Sequence, residues 1–145
     1  VVNLLTNLGY NKKQISVFGG QQLRPNVNIN DMTESYLQVL NAETSKVQSE
    51  IFNVGYENLK VIEIAELVRN TINKNVDLKI HPTDDNRSYH ISSGKIEEKL
   101  GFKMKNTVED AIKDLIDAFD QNKFENPLDN ENYFNIKKMQ NIKLS

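Results

Sequence analysis

The sequence predicts an α/β fold with few strands and several helices. Three observations support it: apolar residues recur at helical spacing in several segments, short β-branched runs end in Gly or Pro, and the two kinds of segment alternate along the chain. The 145 residues are 38% hydrophobic and 26% charged, which is the size of one ordinary domain with enough apolar material for a core.

The first third of the chain predicts two helices and two short strands. These are a helix over 1–9 ended by Gly9, a strand over 15–18, a strand over 26–30 and a helix over 32–42. Asp31 is expected to cap the second helix, because Asp31 and Glu34 have the spacing of a capping box.

The remainder predicts two further strands and three further helices. They are a buried strand over 50–55, a helix over 61–73, a strand over 76–80 ended by Pro82, a helix over 95–100 ended by Gly101, and a helix opened by a capping box of Thr107 and Asp110. The helix over 61–73 has the clearest apolar stripe, at Val61, Ile64, Ala65, Val68 and Ile72. After residue 120 the chain is polar and irregular.

The composition excludes several classes of function. Cysteine is absent, which rules out disulfides, thiolate catalysis and cysteine metal ligands, and the two histidines, His81 and His90, have no third ligand nearby. A net charge of -2 provides no field that would attract nucleic acid or an acidic membrane surface. With no long apolar run and no signal peptide evident, the expected location is the cytoplasm.

Common cofactor and catalytic motifs are also missing from the sequence. The six glycines form neither a G-x-G-x-x-G dinucleotide turn nor a P-loop. The pattern Y-x-x-x-K occurs at Tyr56–Lys60 and at Tyr133–Lys137, but neither pair lies in a predicted long helix, where a lysine would lower the pKa of a tyrosine one turn away. We therefore expect no catalytic residue in this chain.

Four phrases, in order and at the right spacing, carry a resemblance. They are VFGGQQLRPNVNINDM (17–32), IFNVGYENLKVIEIAELV (51–68), DDNRSYHISSGKIEEKLGF (84–102) and TVEDAIKDLIDAF (107–119). Together they resemble the C-terminal, substrate-binding portion of the NAD-dependent nucleotide-sugar epimerase/dehydratase family, within the extended short-chain dehydrogenase/reductase superfamily. The likeness covers roughly residues 1–120.

This resemblance implies a C-terminal fragment of an extended Rossmann-type short-chain dehydrogenase. Residues 1–120 would form the substrate-binding region and the last Rossmann elements, and residues 121–145 a polar C-terminal tail. In the family the NAD-binding turn and the catalytic Tyr and Lys lie in the N-terminal portion. The resemblance therefore implies NAD in a full-length parent and none bound by this chain alone, with the missing N-terminal Rossmann segment and a nucleotide-sugar as partners and a homodimer possible in the parent.

Four residues match family positions that contact substrate. Val17 and Phe18 match positions that line the nucleotide base, with a core aromatic as the alternative for Phe18. Arg24 matches an arginine that contacts the diphosphate, where a planar guanidinium makes bidentate bonds that lysine cannot; a surface salt bridge is the alternative. Arg87 matches a second basic position, with local pairing to Asp84 or Asp85 as its alternative.

The sequence departs from the family pattern at several positions and leaves other functions open. The departures are Pro25 for Asp, Pro82 for a further diphosphate-binding Arg, Ser92 for Asp, and Lys60 for a Ser or Thr helix cap. The alternatives are a non-catalytic nucleotide-sugar-binding module or degenerate fragment, and an extended dehydrogenase or reductase with a non-nucleotide substrate. The sugar, the base and the choice between epimerisation and dehydration stay open.

Overall fold

A computed structural model describes residues 1–72, 75–85 and 87–142. The elements are α1 (Val2–Lys12), β1 (Gln14–Phe18), β2 (Leu23–Asn26), α2 (Ile29–Asn41), α3 (Thr44–Val47), β3 (Glu57–Lys60), α4 (Val61–Ile72), β4 (Asp77–His81), α5 (Gly94–Leu100), α6 (Val108–Asp120), a 3-10 turn (Glu131–Tyr133) and α7 (Asn135–Asn141). The predicted α/β class with few strands and several helices is confirmed.

The four strands of the described residues form two separate two-stranded sheets. β1 and β4 pair in parallel, with Val17 opposite Ile80 and Phe18 opposite His81. β2 and β3 pair antiparallel, with Arg24 opposite Leu59. Because parallel strands end at the same edge, the chain leaves β1 and β4 side by side, and the loops that follow them share one end of the molecule.

The core lies where α1, α4 and α6 pack on the parallel pair. Its buried residues are Leu5, Ile15, Val17, Ile64, Ala65, Val68, Val76, Val108 and Ile112. The stripe predicted for α4 is confirmed: its central three members are fully buried, and Val61 and Ile72 pack partly buried against them. The last residue predicted for that helix, Asn73, lies outside the described residues.

Helix α1 continues through Gly9, contrary to the prediction that Gly9 ends it. A Cβ at Gly9 would lie 3.0 Å from Ile72 Cδ1 and 3.1 Å from Ile15 Cδ1. The missing side chain therefore permits close packing of α1 on the core rather than a turn. The helix ends instead at Lys12, followed by Lys13 in the left-handed conformation at φ 54°.

The predicted strand over 26–30 and the predicted cap at Asp31 are both wrong. Strand β2 ends at Asn26, and α2 begins at Ile29. Asn28 is the N-cap, since its side chain accepts a hydrogen bond from the N–H of Asn30 at 3.0 Å. Asp31 lies inside the first turn and is buried, where it accepts hydrogen bonds from another part of the chain.

The predicted buried strand over 50–55 is also wrong. Residues 51–56 take no regular secondary structure, and the Ile51 side chain is 80% exposed. The described residues supply no neighbouring strand to pair with this segment. Without ladder partners its backbone has no reason to become a strand, even though Ile51, Phe52 and Val54 give it the composition of one.

Two predicted helix boundaries are confirmed, and a third boundary has an unexpected cap. Thr107 and Asp110 form a reciprocal capping box at the start of α6, and Gly101 ends α5 in the left-handed conformation at φ 68°. At the start of α4, where the sequence has Lys60 instead of a Ser or Thr, Glu63 reaches back and accepts the backbone N–H of Lys60 at 2.7 Å.

The segment after α6 folds back onto the helices. The ring of Phe124 lies 5.1 Å from that of Phe119 and 5.5 Å from that of Tyr133. Asn7 on α1 donates from its side-chain amide to the carbonyl of Pro127 at 2.7 Å. These contacts attach the described part of the tail to α1 and α6; the division of the chain at residue 120 stays a prediction.

None of the described helices is both long and apolar enough to cross a lipid bilayer.

Candidate functional site

A tight glycine turn follows β1 at the shared end of the parallel strands. Gly19 and Gly20 have φ values of +76° and +102°, a region that residues with a side chain rarely adopt. The Gly19 N–H donates to the carbonyl of His81 at 2.8 Å, and a Cβ at Gly19 would lie 2.5 Å from Thr83 Cγ2. The turn is thus held against the loop that follows β4, with a shallow cavity of about 290 Å³ beside it.

Phe18 and Val17 point to opposite sides of β1. The Phe18 side chain is 61% exposed and stacks on His81, with ring centroids 5.2 Å apart and an interplanar angle of 27°. Phe18 is therefore no core aromatic in this chain, and its ring is available to a planar ligand. Val17 is 1% exposed and belongs to the core, so its side chain presents no surface to a ligand.

The guanidinium of Arg24 is fixed by neighbouring backbone. Its Nη1 donates to the carbonyl oxygens of Leu23 at 2.9 Å and Arg87 at 2.7 Å, and the group lies over the ring of Tyr89 at 5.3 Å. Its Nη2 faces Oδ2 of Asp85 at 4.0 Å, and the side chain is 22% exposed. Arg24 therefore occupies one orientation with one nitrogen directed toward an acceptor.

Arg87 pairs with the same carboxylate. Its Nε donates to Asp85 Oδ1 at 2.7 Å and its Nη2 donates to Oδ2 at 2.8 Å, while its backbone N–H donates to Oδ1 at 3.1 Å. These hydrogen bonds hold the pKa of Asp85 well below its usual range and raise the pKa of Arg87. The local pairing considered for Arg87 is thus present, with Asp85 as the partner; the Arg87 side chain remains 73% exposed.

A loop laid along β2 brings the two arginines together. Ser88 Oγ accepts the N–H of Leu23 at 2.9 Å, and the Tyr89 N–H donates to the carbonyl of Leu23 at 3.1 Å. Gln22 joins this region to β1, because its Nε2 donates to the carbonyl of Phe18 at 3.0 Å and to that of Asp85 at 3.3 Å. Phe18, Arg24 and Arg87 therefore belong to one connected surface.

Several members of this surface were not predicted as site residues. Gln22, Asp85 and Tyr89 each contact a predicted residue. Gln22 was within reach of sequence reasoning, since it stands two positions before Arg24 in the first phrase. The stacking of Tyr89 under Arg24 depends on how the loop lies on β2, which no local pattern shows.

The arrangement suits an anion next to a planar ring. Two guanidinium groups present fork-shaped donors that match phosphate or carboxylate oxygens, and the exposed face of Phe18 offers a stacking surface. Within residues 1–72, 75–85 and 87–142, no group of three or more His, Asp or Glu side chains could hold a metal ion.

The residues that the structure describes do not fit NAD. A dinucleotide needs a glycine turn that leads directly into a helix, whose N-terminus receives the pyrophosphate. The Gly19–Gly20 turn leads into strand β2 instead. Tyr56 and Lys60 border or lie in strand β3, where residues four apart are separated by about 13 Å along the strand. Tyr133 and Lys137 are separated by the break between the 3-10 turn and α7.

No protein-family model matches the sequence, but solved structures are similar to the fold. They include UDP-glucose 4-epimerase from Thermotoga maritima with UDP-glucose (TM-score 0.72, 20% identity, 85% of this chain and 40% of that one). Two others are dTDP-glucose 4,6-dehydratase from Bacillus anthracis in complex with NAD (0.68, 20%, 84% and 39%) and L-threonine dehydrogenase from Clostridium difficile (0.70, 13%, 83% and 40%). The chain thus spans about two fifths of the length of these structures.

The chain has the fold of one part of the epimerase/dehydratase family. The resemblance noted in the four sequence phrases is thereby confirmed at the level of the fold. Because the same epimerase/dehydratase fold is also found in the L-threonine dehydrogenase, it leaves the substrate open. The surface formed by Phe18, Arg24 and Arg87 is the feature of this chain that bears on the substrate.

Proposed function

We propose that this chain is the substrate-binding part of an NAD-dependent nucleotide-sugar epimerase or dehydratase, and that it contacts the nucleotide diphosphate. The observation that carries the proposal is the convergence of Arg24 and Arg87 on one point. The two Nη2 atoms lie 4.0 Å and 2.8 Å from the same carboxylate oxygen, Oδ2 of Asp85. Two arginines around one acceptor position match a phosphate oxygen.

Phe18 would take the base of the nucleotide. Its exposed ring stands beside the glycine turn, and Gln22 connects its backbone to the arginine surface. Stacking on one face of a base requires a flat, fixed ring, and His81 supports the opposite face of Phe18. Val17 would contribute by anchoring β1 in the core, which holds Phe18 in place.

The redox chemistry belongs to the rest of the parent protein. NAD bound there would supply a reversible hydride acceptor. Since the described residues of this chain do not fit that cofactor, the role of the chain is to bind the diphosphate and to hold the attached sugar in a fixed position. Such positioning removes translational and rotational freedom before any chemistry begins.

An apolar surface on α2 supports the proposal that a further segment covers this chain. The outward side of α2 carries Tyr36, Leu37 and Leu40, which are 67%, 47% and 78% exposed, while the buried residues of this helix are Asp31 and Ser35. Ile51 lies exposed as well. A helix that buries polar residues and exposes apolar ones is the reverse of the usual pattern. This chain spans about two fifths of the structures that it resembles. We assign the apolar surface to contact with a segment that corresponds to the other three fifths.

One second candidate has specific support. The similarity to an L-threonine dehydrogenase reaches a TM-score of 0.70, equal to or above that of some nucleotide-sugar enzymes in the comparison. A dehydrogenase acting on a small non-nucleotide substrate would have no use for two arginines and an exposed aromatic ring at this edge. The arginine pair therefore favours the nucleotide-sugar function.

Calorimetric titration with UDP, dTDP, UMP and uridine tests the proposed function. A diphosphate site predicts saturable binding of UDP or dTDP, weaker binding of UMP and none of uridine, because affinity depends on the phosphate charge. Failure of every nucleoside diphosphate to bind would contradict the proposal. Equal binding of uridine and UDP would show a base pocket without a phosphate site.

A further inference from the structure

Within the proposed diphosphate site, one carboxylate occupies the position that a ligand oxygen needs. We propose that Asp85 is a built-in competitor of the phosphate: its carboxylate holds the arginine pair in the free protein and must leave when the anion binds. The inference rests on the proposed function and adds a residue that sets the affinity of the site.

The geometry places Asp85 between the two guanidinium groups. Its Oδ2 lies 2.8 Å from Arg87 Nη2 and 4.0 Å from Arg24 Nη2. Its Oδ1 accepts from Arg87 Nε at 2.7 Å, so the carboxylate covers the whole Nε–Nη2 edge of Arg87. A phosphate uses this same fork-shaped edge for bidentate binding. Carboxylate and phosphate therefore cannot occupy the edge together.

A different role for Asp85 would be to position the arginines for the ligand. Arg24 does not need it, because two backbone carbonyls and the ring of Tyr89 already fix its guanidinium. The backbone of Asp85 is held separately: its N–H donates to Thr83 Oγ1 at 3.2 Å, and its carbonyl accepts from Gln22 at 3.3 Å. The side chain can thus rotate away at the cost of its bond to the backbone N–H of Arg87, while the backbone of Asp85 and the guanidinium of Arg24 stay in place.

The charges of Arg24, Arg87 and Asp85 also indicate that Asp85 competes with an anion. Two arginines and one aspartate leave the cluster with a net charge of +1, whereas an asparagine at position 85 would raise it to +2. An asparagine also keeps a carbonyl oxygen that can accept the backbone N–H of Arg87, which Asp85 now accepts at 3.1 Å. Asp85→Asn therefore removes the competing charge and retains the local turn.

The test is calorimetric titration of inorganic pyrophosphate into the 145-residue chain and two variants. Asp85→Asn is expected to bind pyrophosphate about three- to tenfold more tightly than wild type, because an exposed ion pair no longer has to be broken. Asp84→Asn is the matched control: it makes the same change in net charge one residue away, and we expect less than about a twofold change. Melting curves check that each variant folds.

A second pair of variants shows whether Asp85 acts through Arg87. In an Arg87→Ala background, the further change Asp85→Asn is expected to give at most about a twofold gain, because the edge that the carboxylate blocks is gone. Equal or weaker binding by Asp85→Asn than by wild type would overturn the competitor role and leave the diphosphate site intact. Absence of pyrophosphate binding in all the variants would overturn both proposals.

Discussion

Asp31 and Asn106 are joined by two hydrogen bonds across 75 residues of sequence. The carboxylate of Asp31 accepts the backbone N–H of Asn106 at 2.9 Å and its side-chain amide at 2.8 Å, and it also accepts the N–H of Lys105 at 3.1 Å. The Asp31 residue is 2% exposed. A buried carboxylate is thus satisfied by donors from the loop before α6, and the start of α2 is tied to that loop.

Asp31→Asn is expected to lower the free energy of unfolding by about 1–3 kcal/mol. The substitution places an amide NH₂ donor against the backbone N–H donors of Lys105 and Asn106, which leaves buried groups unsatisfied. Urea unfolding measures the change. Glu34→Gln, at an exposed position on the same helix, is the control, and we expect it to stay within about 0.5 kcal/mol of wild type. Equal midpoints for the two variants would contradict this account of Asp31.

Glu50 is expected to make stability depend on pH in the acid range. Hydrogen bonds from Lys95 and Lys99 lower the pKa of Glu50 from 4.5 to about 2 in the folded chain. A carboxyl group with a depressed folded pKa stabilises the fold above its unfolded pKa and loses that contribution as the pH falls through the folded value. The contribution should therefore be complete above about pH 4.5 and vanish near pH 2.

Denaturant unfolding of wild type and Glu50→Gln at several pH values checks this dependence. The difference in stability between the two proteins should be largest near pH 6 and shrink steadily between pH 4.5 and 2. Glu98→Gln on α5 removes an exposed carboxyl of the same kind and should show a smaller pH-dependent difference. A difference for Glu50→Gln that is constant over this range would contradict the assignment.

Arg24→Lys is expected to weaken nucleoside diphosphate binding by about 1.5–3 kcal/mol while leaving the fold intact. Lysine keeps the charge, but its three donors radiate from one nitrogen. It cannot reproduce the planar fork in which Nη1 binds two backbone carbonyls while Nη2 faces an anion. Arg69→Lys on α4, outside the proposed site, is the control. In a complete enzyme the loss should appear as a higher KM. A lower melting temperature with unchanged affinity would show that Arg24 is structural.

The chain alone is expected to self-associate through its exposed apolar surface. Each large apolar side chain left in water forfeits roughly 1.5–3 kcal/mol of burial. Because Leu40 and Ile51 are 78% and 80% exposed, Leu40→Lys and Ile51→Lys should increase the monomer fraction in size-exclusion chromatography and reduce binding of a hydrophobic dye. Asn41→Lys adds the same charge beside Leu40 and should do neither.

Two outcomes would contradict the assignment of the exposed apolar surface to a further segment of a longer protein. A wild-type chain that is monomeric, melts in one sharp transition and binds no hydrophobic dye would favour a self-standing module over a part of a larger protein. A wild-type chain that elutes as a dimer of fixed stoichiometry, while Leu40→Lys elutes as a monomer, would assign the α2 surface to a second copy of this chain instead.

NAD is not expected to bind this chain. Its glycine turn leads into β2, so no helix N-terminus is presented for a pyrophosphate at that turn. Calorimetric titration measures this directly. Saturable binding of NAD tighter than about millimolar, roughly -4 kcal/mol, would contradict the expectation.

The features that could be predicted from the sequence are those with local causes. The stripe of Ile64, Ala65 and Val68 and the box of Thr107 and Asp110 depend on spacings of three or four residues, and the structure has both. The prediction of a strand over 50–55 was wrong because a strand needs ladder partners, which composition alone does not show.

In the candidate site, too, the residues could be predicted from local sequence, whereas the contacts between them could not. Arg24 and Arg87 could be singled out from phrases in the sequence. Their convergence could not be predicted, because it depends on β1 pairing with β4 and on a loop that lies along β2. These contacts join residues about 60 positions apart. The choice of Asp85 rather than Asp84 as the partner of Arg87 likewise depends on side-chain direction in that loop.

Side-chain NMR of the three arginines tests whether Arg24 and Arg87 bind a nucleoside diphosphate together. The Nε–Hε resonances of Arg24, Arg69 and Arg87 can be followed while UDP or dTDP is added. A diphosphate site at these residues predicts saturable shifts of the Arg24 and Arg87 resonances with one common dissociation constant, and no shift of the Arg69 resonance. A titration in which the Arg24 and Arg87 resonances do not shift, or in which the resonances of all three arginines shift alike, would contradict a diphosphate site at these residues.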